Sequence, residues 1–162
     1  MPCRTSDSRE RVESSSQAKR RKRRAESFTY LLYFSLMKTT EMVMDFLKKQ
    51  GFCPEVDEDN GNIIFKYQML TFIFFNNDED EEFFQLAFPG IFDVTEDNRD
   101  LVLEAADKVN RTVKVAKVIT VGESVWVLFE SILDHSPEVG SIIERALGIL
   151  QHARQSFYEA LE

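Results

Sequence analysis

Few side chains in this sequence are of the kinds that do covalent or proton-transfer chemistry. It has two histidines, His135 and His152, and two cysteines, Cys3 and Cys53. Neither histidine has a Cys, a Ser or a second His at a spacing that would bring a base to a nucleophile, or ligands to a metal. The sequence has no phosphate-binding glycine loop, no nucleophile elbow and no metal-spaced Cys/His set. Surface or structural roles are expected for both histidines. No catalytic residue, metal ligand or cofactor is assigned, and the expectation is a protein that is not an enzyme.

Carboxylates are the other candidates. Asp57-Glu58-Asp59 is one acidic run, and Asp78-Glu79-Asp80-Glu81-Glu82 is another. Alternate turns of an antiparallel meander fall at the same end of the sheet, so these runs predict one negative edge that includes Asp57, Asp59, Asp78 and Asp80. Such an edge could hold a cation or small ligand, or dock a basic partner. Gly61 stands at the wrong offset from Asp57 and Asp59 for an EF-hand loop. The plainer reading is a set of solvated turns.

The stretch that has to position these groups is 62–92. It contains 62–67 (Asn-Ile-Ile-Phe-Lys-Tyr), 70–75 (Leu-Thr-Phe-Ile-Phe-Phe) and 83–88 (Phe-Phe-Gln-Leu-Ala-Phe). Aromatic and β-branched residues favour a pleated, half-buried surface, so these are predicted strands. Residues 70–75 are apolar on both faces: Phe72 and Phe74 point one way, Ile73 and Phe75 the other. Such a strand needs cover on both sides. The strand predicted at 124–132 has the same property, with Val125, Val127 and Phe129 alternating with Trp126 and Leu128. Three helices look too few to cover two faces. If they cover one, the other keeps an apolar patch of the kind that marks a partner surface. The residues assigned to it are Phe72, Phe74, Trp126 and Leu128. The sequence leaves open which alternating set faces outward, and a sheet curled enough to bury both faces is the alternative.

The remaining elements follow from spacing and end signals. A helix is expected over 41–50, capped by Thr40 and ended by Gly51. A short strand over 53–58 leads into Asn60-Gly61, read as a type I′ turn. A tight turn is expected near Gln68-Met69, and Pro89-Gly90 is expected to break the last strand of the meander. A second helix spans 96–111, capped by Asp97, with Leu101, Val102, Ala105, Ala106 and Val109 facing inward. A hairpin follows over 113–121 and 124–132, with Gly122-Glu123 as a II′ turn. Ser136-Pro137 opens a long helix whose stripe is Val139, Ile143, Leu147, Leu150, Ala153, Phe157 and Leu161.

Size and charge narrow the class. With 162 residues the chain is long enough for one domain with a real core. The net charge of −8 is unevenly spread: residues 1–36 hold nine Lys or Arg against four Asp or Glu, a net of +5, leaving −13 for the rest. An acidic body repels nucleic-acid backbones, so no nucleic-acid contact is expected through the folded part. No apolar run reaches the roughly 18 to 20 residues of a membrane helix, and no membrane partner is expected. Two distant cysteines support a reducing compartment, and the cytoplasm is expected.

Residues 1–27 are rich in Ser, Arg and Glu, which predicts disorder. They include the basic run Lys19-Arg20-Arg21-Lys22-Arg23-Arg24, which could be a localisation signal or a nucleic-acid contact and reads more plainly as a solvated tail. Phe28-Thr29-Tyr30-Leu31-Leu32-Tyr33-Phe34-Ser35-Leu36 has the length of a signal-peptide core, but no small-residue cleavage site follows it. Met37 is the expected native start, with 1–36 a basic tail or upstream extension and 37–162 a single α+β domain.

The order helix, strand meander, helix, hairpin, long helix resembles the YbjN-type family, described as candidate bacterial sensory transduction regulators. Its fold is similar to that of the type III secretion chaperones. The resemblance covers about 37–162. It rests on that order, on Ile63-Ile64-Phe65 and residues 70–75, and on the hairpin from 115–118 to Val125-Trp126. It implies an antiparallel sheet packed against three helices. It also implies a protein without catalytic residues that forms a homodimer or holds an extended peptide of a protein partner.

Overall fold

The computed structural model describes residues 38–162, with Arg20 alone before them. The expectations for residues 1–36 lie outside the described residues. The elements are α1 (Thr39–Lys49), β1 (Glu55–Val56), β2 (Ile63–Tyr67), β3 (Leu70–Phe74), β4 (Phe83–Asp93), α2 (Arg99–Thr112), β5 (Ala116–Val121), β6 (Ser124–Ile132) and α3 (Val139–Leu161). The sheet order is β1-β2-β3-β4-β6-β5, antiparallel throughout. The expected α+β architecture, a meander and a hairpin in one antiparallel sheet packed against three helices, is what forms. The hairpin adds to the meander through β6, so β5 becomes an edge.

Strand parity decides which residues are dry. Ile63, Phe65, Phe72, Phe74, Phe84, Leu86, Val125 and Val127 lie on one face and are essentially inaccessible to solvent. Their rings form a ladder: Phe65 stacks on Phe72 at 5.9 Å, Phe72 meets Phe88 at 4.8 Å, and Phe74 meets Phe84 at 5.3 Å. α3 lies on this face. Its Phe157 ring meets Phe92 at 5.8 Å, Arg154 sits over Phe88, and the Tyr158 hydroxyl donates to the Ile91 carbonyl. α3 also touches both other helices. A β-carbon added at Gly140 would stand 2.6 Å from the Phe46 ring, so α1 and α3 approach closely only because that position is glycine. The expected stripe of α3 is buried from Val139 to Phe157.

Several local expectations are corrected. Thr40 does not cap α1; its hydroxyl donates to Asn76 Oδ1 at 2.6 Å, and the Thr39 hydroxyl donates to the Glu81 carbonyl at 2.6 Å. Both tie the helix start to the β3–β4 loop. Gly51 does end α1, at φ +82°, with Phe52 N–H donating to the Leu47 carbonyl. The short first strand shrinks to two residues, because Asp57 accepts from Asp59 N–H and Asn60 Nδ2 and closes a wider turn. In that turn only Gly61 has positive φ, so Asn60-Gly61 is not type I′. The pair with positive φ at both central positions is Gln68-Met69, at 50° and 66°. Pro89-Gly90 does not end β4. The strand runs on to Asp93 through a bulge, with Gly90 at φ +66° supplying the irregular backbone. Asn98, not Asp97, precedes α2 and bonds back to Thr95 and Asp93; Leu101 is 48% exposed rather than inward. Residues 113–115 stay outside β5, and Ser136-Pro137 precede α3 without capping it.

The Gln68-Met69 turn generates a stability test. Positive φ costs a non-glycine residue roughly 1–2 kcal/mol, and Met69, 95% exposed, has little packing to lose. Met69→Gly should therefore raise unfolding stability by about 0.5–1 kcal/mol after glycine's own entropy cost. Urea denaturation of the full chain checks this; an unchanged or lowered midpoint contradicts the turn geometry.

Candidate functional site

The second sheet face carries the residues of opposite parity. Register places Ile64, Ile73, Ala87 and Leu128 side by side on β2, β3, β4 and β6, making one apolar row. Four strands about 4.8 Å apart give it a width of about 14 Å. Two residues along the strands, Trp126 stands beside Ile119 of β5. Ala87 and Leu128 are buried within this face, Ile64, Ile73 and Trp126 are half-buried, and Ile119 is exposed. Among the described residues the helices pack on the opposite face.

Beyond the row the surface turns polar. Gln85 Nε2 donates to Glu130 Oε1 at 2.9 Å, and Lys117 pairs with the other Glu130 oxygen. This chain of three crosses β4, β6 and β5. Past it stand Phe83, half-buried, and Ile132, 68% exposed.

Of the four expected patch residues, only Trp126 and Leu128 are on this face. Phe72 and Phe74 are on the helix side and fully buried. Register explains the correction. Phe74 pairs with Leu86 and Leu86 with Phe129, so Phe74 shares the parity of Phe129, not of Leu128. Ile73, Ile64 and Ile119 are the partners that sequence reasoning did not assign. Their signal was present as alternation, but neither parity was labelled in the sequence.

The acidic edge forms at one end of the sheet. Asn76 N–H donates to Asn62 Oδ1 at 3.0 Å, so the β1–β2 and β3–β4 loops adjoin. Asp57 and Asp59 belong to the first, Asp78 and Asp80 to the second. The carboxylates are not gathered at one point. Both oxygens of Asp57 are bonded within its turn, and Asp78 takes Lys38 Nζ at 3.1 Å and Asn76 Nδ2 at 3.0 Å. Among the described residues no three His, Cys, Asp or Glu side chains converge to hold a metal ion. His135 is exposed, with Glu82 at 3.8 Å, and His152 is exposed on α3. Cys53 is an exposed free thiol. No described helix is long and apolar enough to cross a membrane.

These features define an antiparallel sheet with one helix-covered face and one apolar face outside the helix layer. Two solved structures share the fold. YbjN of E. coli, described as a candidate transcription regulator, superposes with a TM-score of 0.58 at 8% identity, over 75% of this chain and 89% of that one. An uncharacterized protein from Methanothermobacter thermautotrophicus superposes at 0.51 and 15% identity, over 76% of this chain and 99% of that one. The protein has a YbjN-like fold. No protein-family model matches its sequence. No curated protein matches it either.

The Lys38–Asp78 pair gives the edge a testable pH signature. The hydrogen bond from Lys38, then that from Asn76, holds the Asp78 carboxyl below its ordinary 3.8; the same bond to Asp78 raises Lys38 above 10.5. A depressed carboxylate stabilises the fold fully above 3.8 and loses that contribution as pH falls through its lowered value. The raised lysine loses its share only as pH climbs past 10.5. Both groups are exposed, so salt should weaken the effect. The denaturation midpoint of Asp78→Asn should lie below wild type at neutral pH in low salt. The two should converge on acidification below about pH 3.8. A gap that persists in acid would mean the carboxylate charge is not what binds.

Proposed function

We propose that this protein is a non-enzymatic protein-binding module of chaperone-like or regulatory character that works as a homodimer. It buries apolar side chains of a protein partner against the sheet face opposite the described helices. The observation that supports this most is the row Ile64–Ile73–Ala87–Leu128 with Trp126 and Ile119 beside it, outside the helix layer. Among the described residues no helix lies over this row. A row about 14 Å wide offers less than the roughly 800 Å² per partner of a standard interface. A folded partner would therefore also have to engage the polar Gln85–Glu130–Lys117 chain, whereas a short amphipathic segment could sit on the row alone. Two-fold use of the face would place Lys117 and Glu130 of both copies in one interface. The acidic edges, at one end of the sheet, favour a partner with basic flanks. The acidity of the folded part argues against nucleic acid as that partner. The likeness to YbjN, itself described as a regulator candidate, fits the regulatory half of the proposal.

The test uses an exposed residue, so that folding and binding separate. Ile119→Glu, at a position 36% exposed, should change the melting temperature little. It should weaken self-association about tenfold or more in light-scattering titrations and reduce binding of a hydrophobic dye to any monomer. If the variant matches wild type in mass and dye binding, the face is not a working surface.

A further inference from the structure

Asn60 is the one asparagine of this chain that is followed by glycine. Such a pair is chemically labile, because glycine has no side chain to keep its nitrogen away from the asparagine amide. The pair lies in the loop between β1 and β2, and Asn60 is exposed. Three hydrogen bonds hold the groups that would react. Asn60 Nδ2 donates to Asp57 Oδ2 at 2.9 Å, and Asn60 Oδ1 accepts from Asn62 N–H at 2.9 Å. Gly61 N–H donates to the Asp57 carbonyl at 2.8 Å. Asp59 N–H, 3.0 Å from Asp57 Oδ1, fixes the carboxylate that receives the amide. Asp57 thus holds both the leaving nitrogen and the attacking one.

We propose that Asn60 is a modification site, converted to aspartate and isoaspartate when the loop opens, and that Asp57 sets how often it opens. The reaction balances with water alone. Gly61 N loses its proton to hydroxide and bonds to Asn60 Cγ. The Cγ–Nδ2 bond breaks, and Nδ2 leaves as ammonia after taking a proton from water. Water then opens the cyclic imide at either carbonyl; one opening gives aspartate, the other isoaspartate. In the closed loop the Gly61 N–H is engaged, and the Asn60 amide cannot turn toward it without breaking bonds at both of its ends. Conversion therefore goes through an open loop, at a rate set by the free energy of opening. The products do not fit the closed loop. An aspartate at 60 sets a carboxylate against Asp57 Oδ2, where an amide had donated. An isoaspartate lengthens the backbone beside Gly61, where a β-carbon would already stand 2.9 Å from Asn76 Nδ2. Modification therefore adds negative charge to the acidic edge and keeps the loop open. The site shares no residue with the apolar face, and its test stands whether or not that face binds a partner.

The experiment follows the full-length wild type, Asp57→Ala and Asp57→Asn over time at mildly alkaline pH, which speeds loss of the Gly61 proton. The temperature is one at which circular dichroism shows each of them folded, and the wild type in urea is the open-loop reference. Peptide mapping by mass spectrometry measures the amide-to-acid conversion at Asn60 and separates its two products. Conversion in the native wild type should be about tenfold or more slower than in urea. Asp57→Ala should convert about tenfold or more faster than the native wild type. Asp57→Asn keeps an uncharged acceptor and should show a smaller increase. Should Asp57→Ala not fold, Asp57→Asn carries the same comparison. A native wild type that converts as fast as in urea overturns the proposal, as do folded Asp57 variants that convert no faster than wild type.

Discussion

The rest of the structure depends on the ladder of phenylalanine rings that crosses four strands on the helix side. Phe65, Phe72 and Phe88 form one course of it; Phe74, Phe84 and Phe129 form a second, with Phe84 and Phe129 meeting edge-on at 6.1 Å. Each ring is worth several methylene groups of burial, roughly 1.5–3 kcal/mol, so shifting any strand by one residue would expose a whole row. The ladder thereby fixes register. It also fixes where α3 lies, because Phe157 and Arg154 pack onto its end. Once these rings are inside, parity sends Ile64, Ile73, Ala87, Leu128 and Trp126 to the other side. The packing of the inner face decides which positions point outward, but it does not require them to be apolar. Here they are.

The loops at the acidic end do a different job from the ladder. Thr39, Thr40, Asn62 and Asn76 form a set of short polar bonds that fastens the start of α1 to two hairpin turns. Gly61 lies where a β-carbon would stand 2.9 Å from Asn76 Nδ2, so the two loops pack closely only with glycine there. Of the carboxylates around this set, Asp57 is bonded within its own turn, and Asp78 is bonded to Lys38 and Asn76. The edge is negatively charged, but among the described residues no three carboxylates converge to cage an ion. These loops hold a helix to the sheet, while at the β5 edge Asn110 of α2 bonds both outward backbone groups of Val118.

Much of the architecture was legible because it rests on periodicity. The stripe of α3 and the span of β6 follow from side chains alone, since spacing of 3.6 and of 2 states the element directly. Failures fall where one backbone or one polar side chain decides. Asn60-Gly61 looks like a two-residue turn, but Asp57 and Asn60 offer enough acceptors to close a wider one, and Gln68-Met69 adopts the strained turn because Tyr67 and Leu70 pair across it. Pro89-Gly90 looks like a stop, but a bulge lets the strand absorb both. The patch was legible as a property of doubly apolar strands and illegible as a list. Pairing Phe72 and Phe74 with Trp126 and Leu128 required knowing how β3, β4 and β6 register, and that is set by contacts distant in sequence. Asn110 could not be singled out, because nothing in a helical sequence marks an amide that reaches a strand edge.

The most direct test of an apolar working face uses Trp126, the single tryptophan of the chain. Its indole stands on that face, so its emission reports whether the face is wet or covered. Fluorescence and acrylamide quenching of the full-length protein should be followed from low to high concentration, with Ile119→Glu alongside. If copies cover the face, emission shifts to the blue and quenching falls as concentration rises, and Ile119→Glu moves that change to higher concentration. Emission and quenching that stay constant at every concentration, and are the same in Ile119→Glu, would contradict a face used for association.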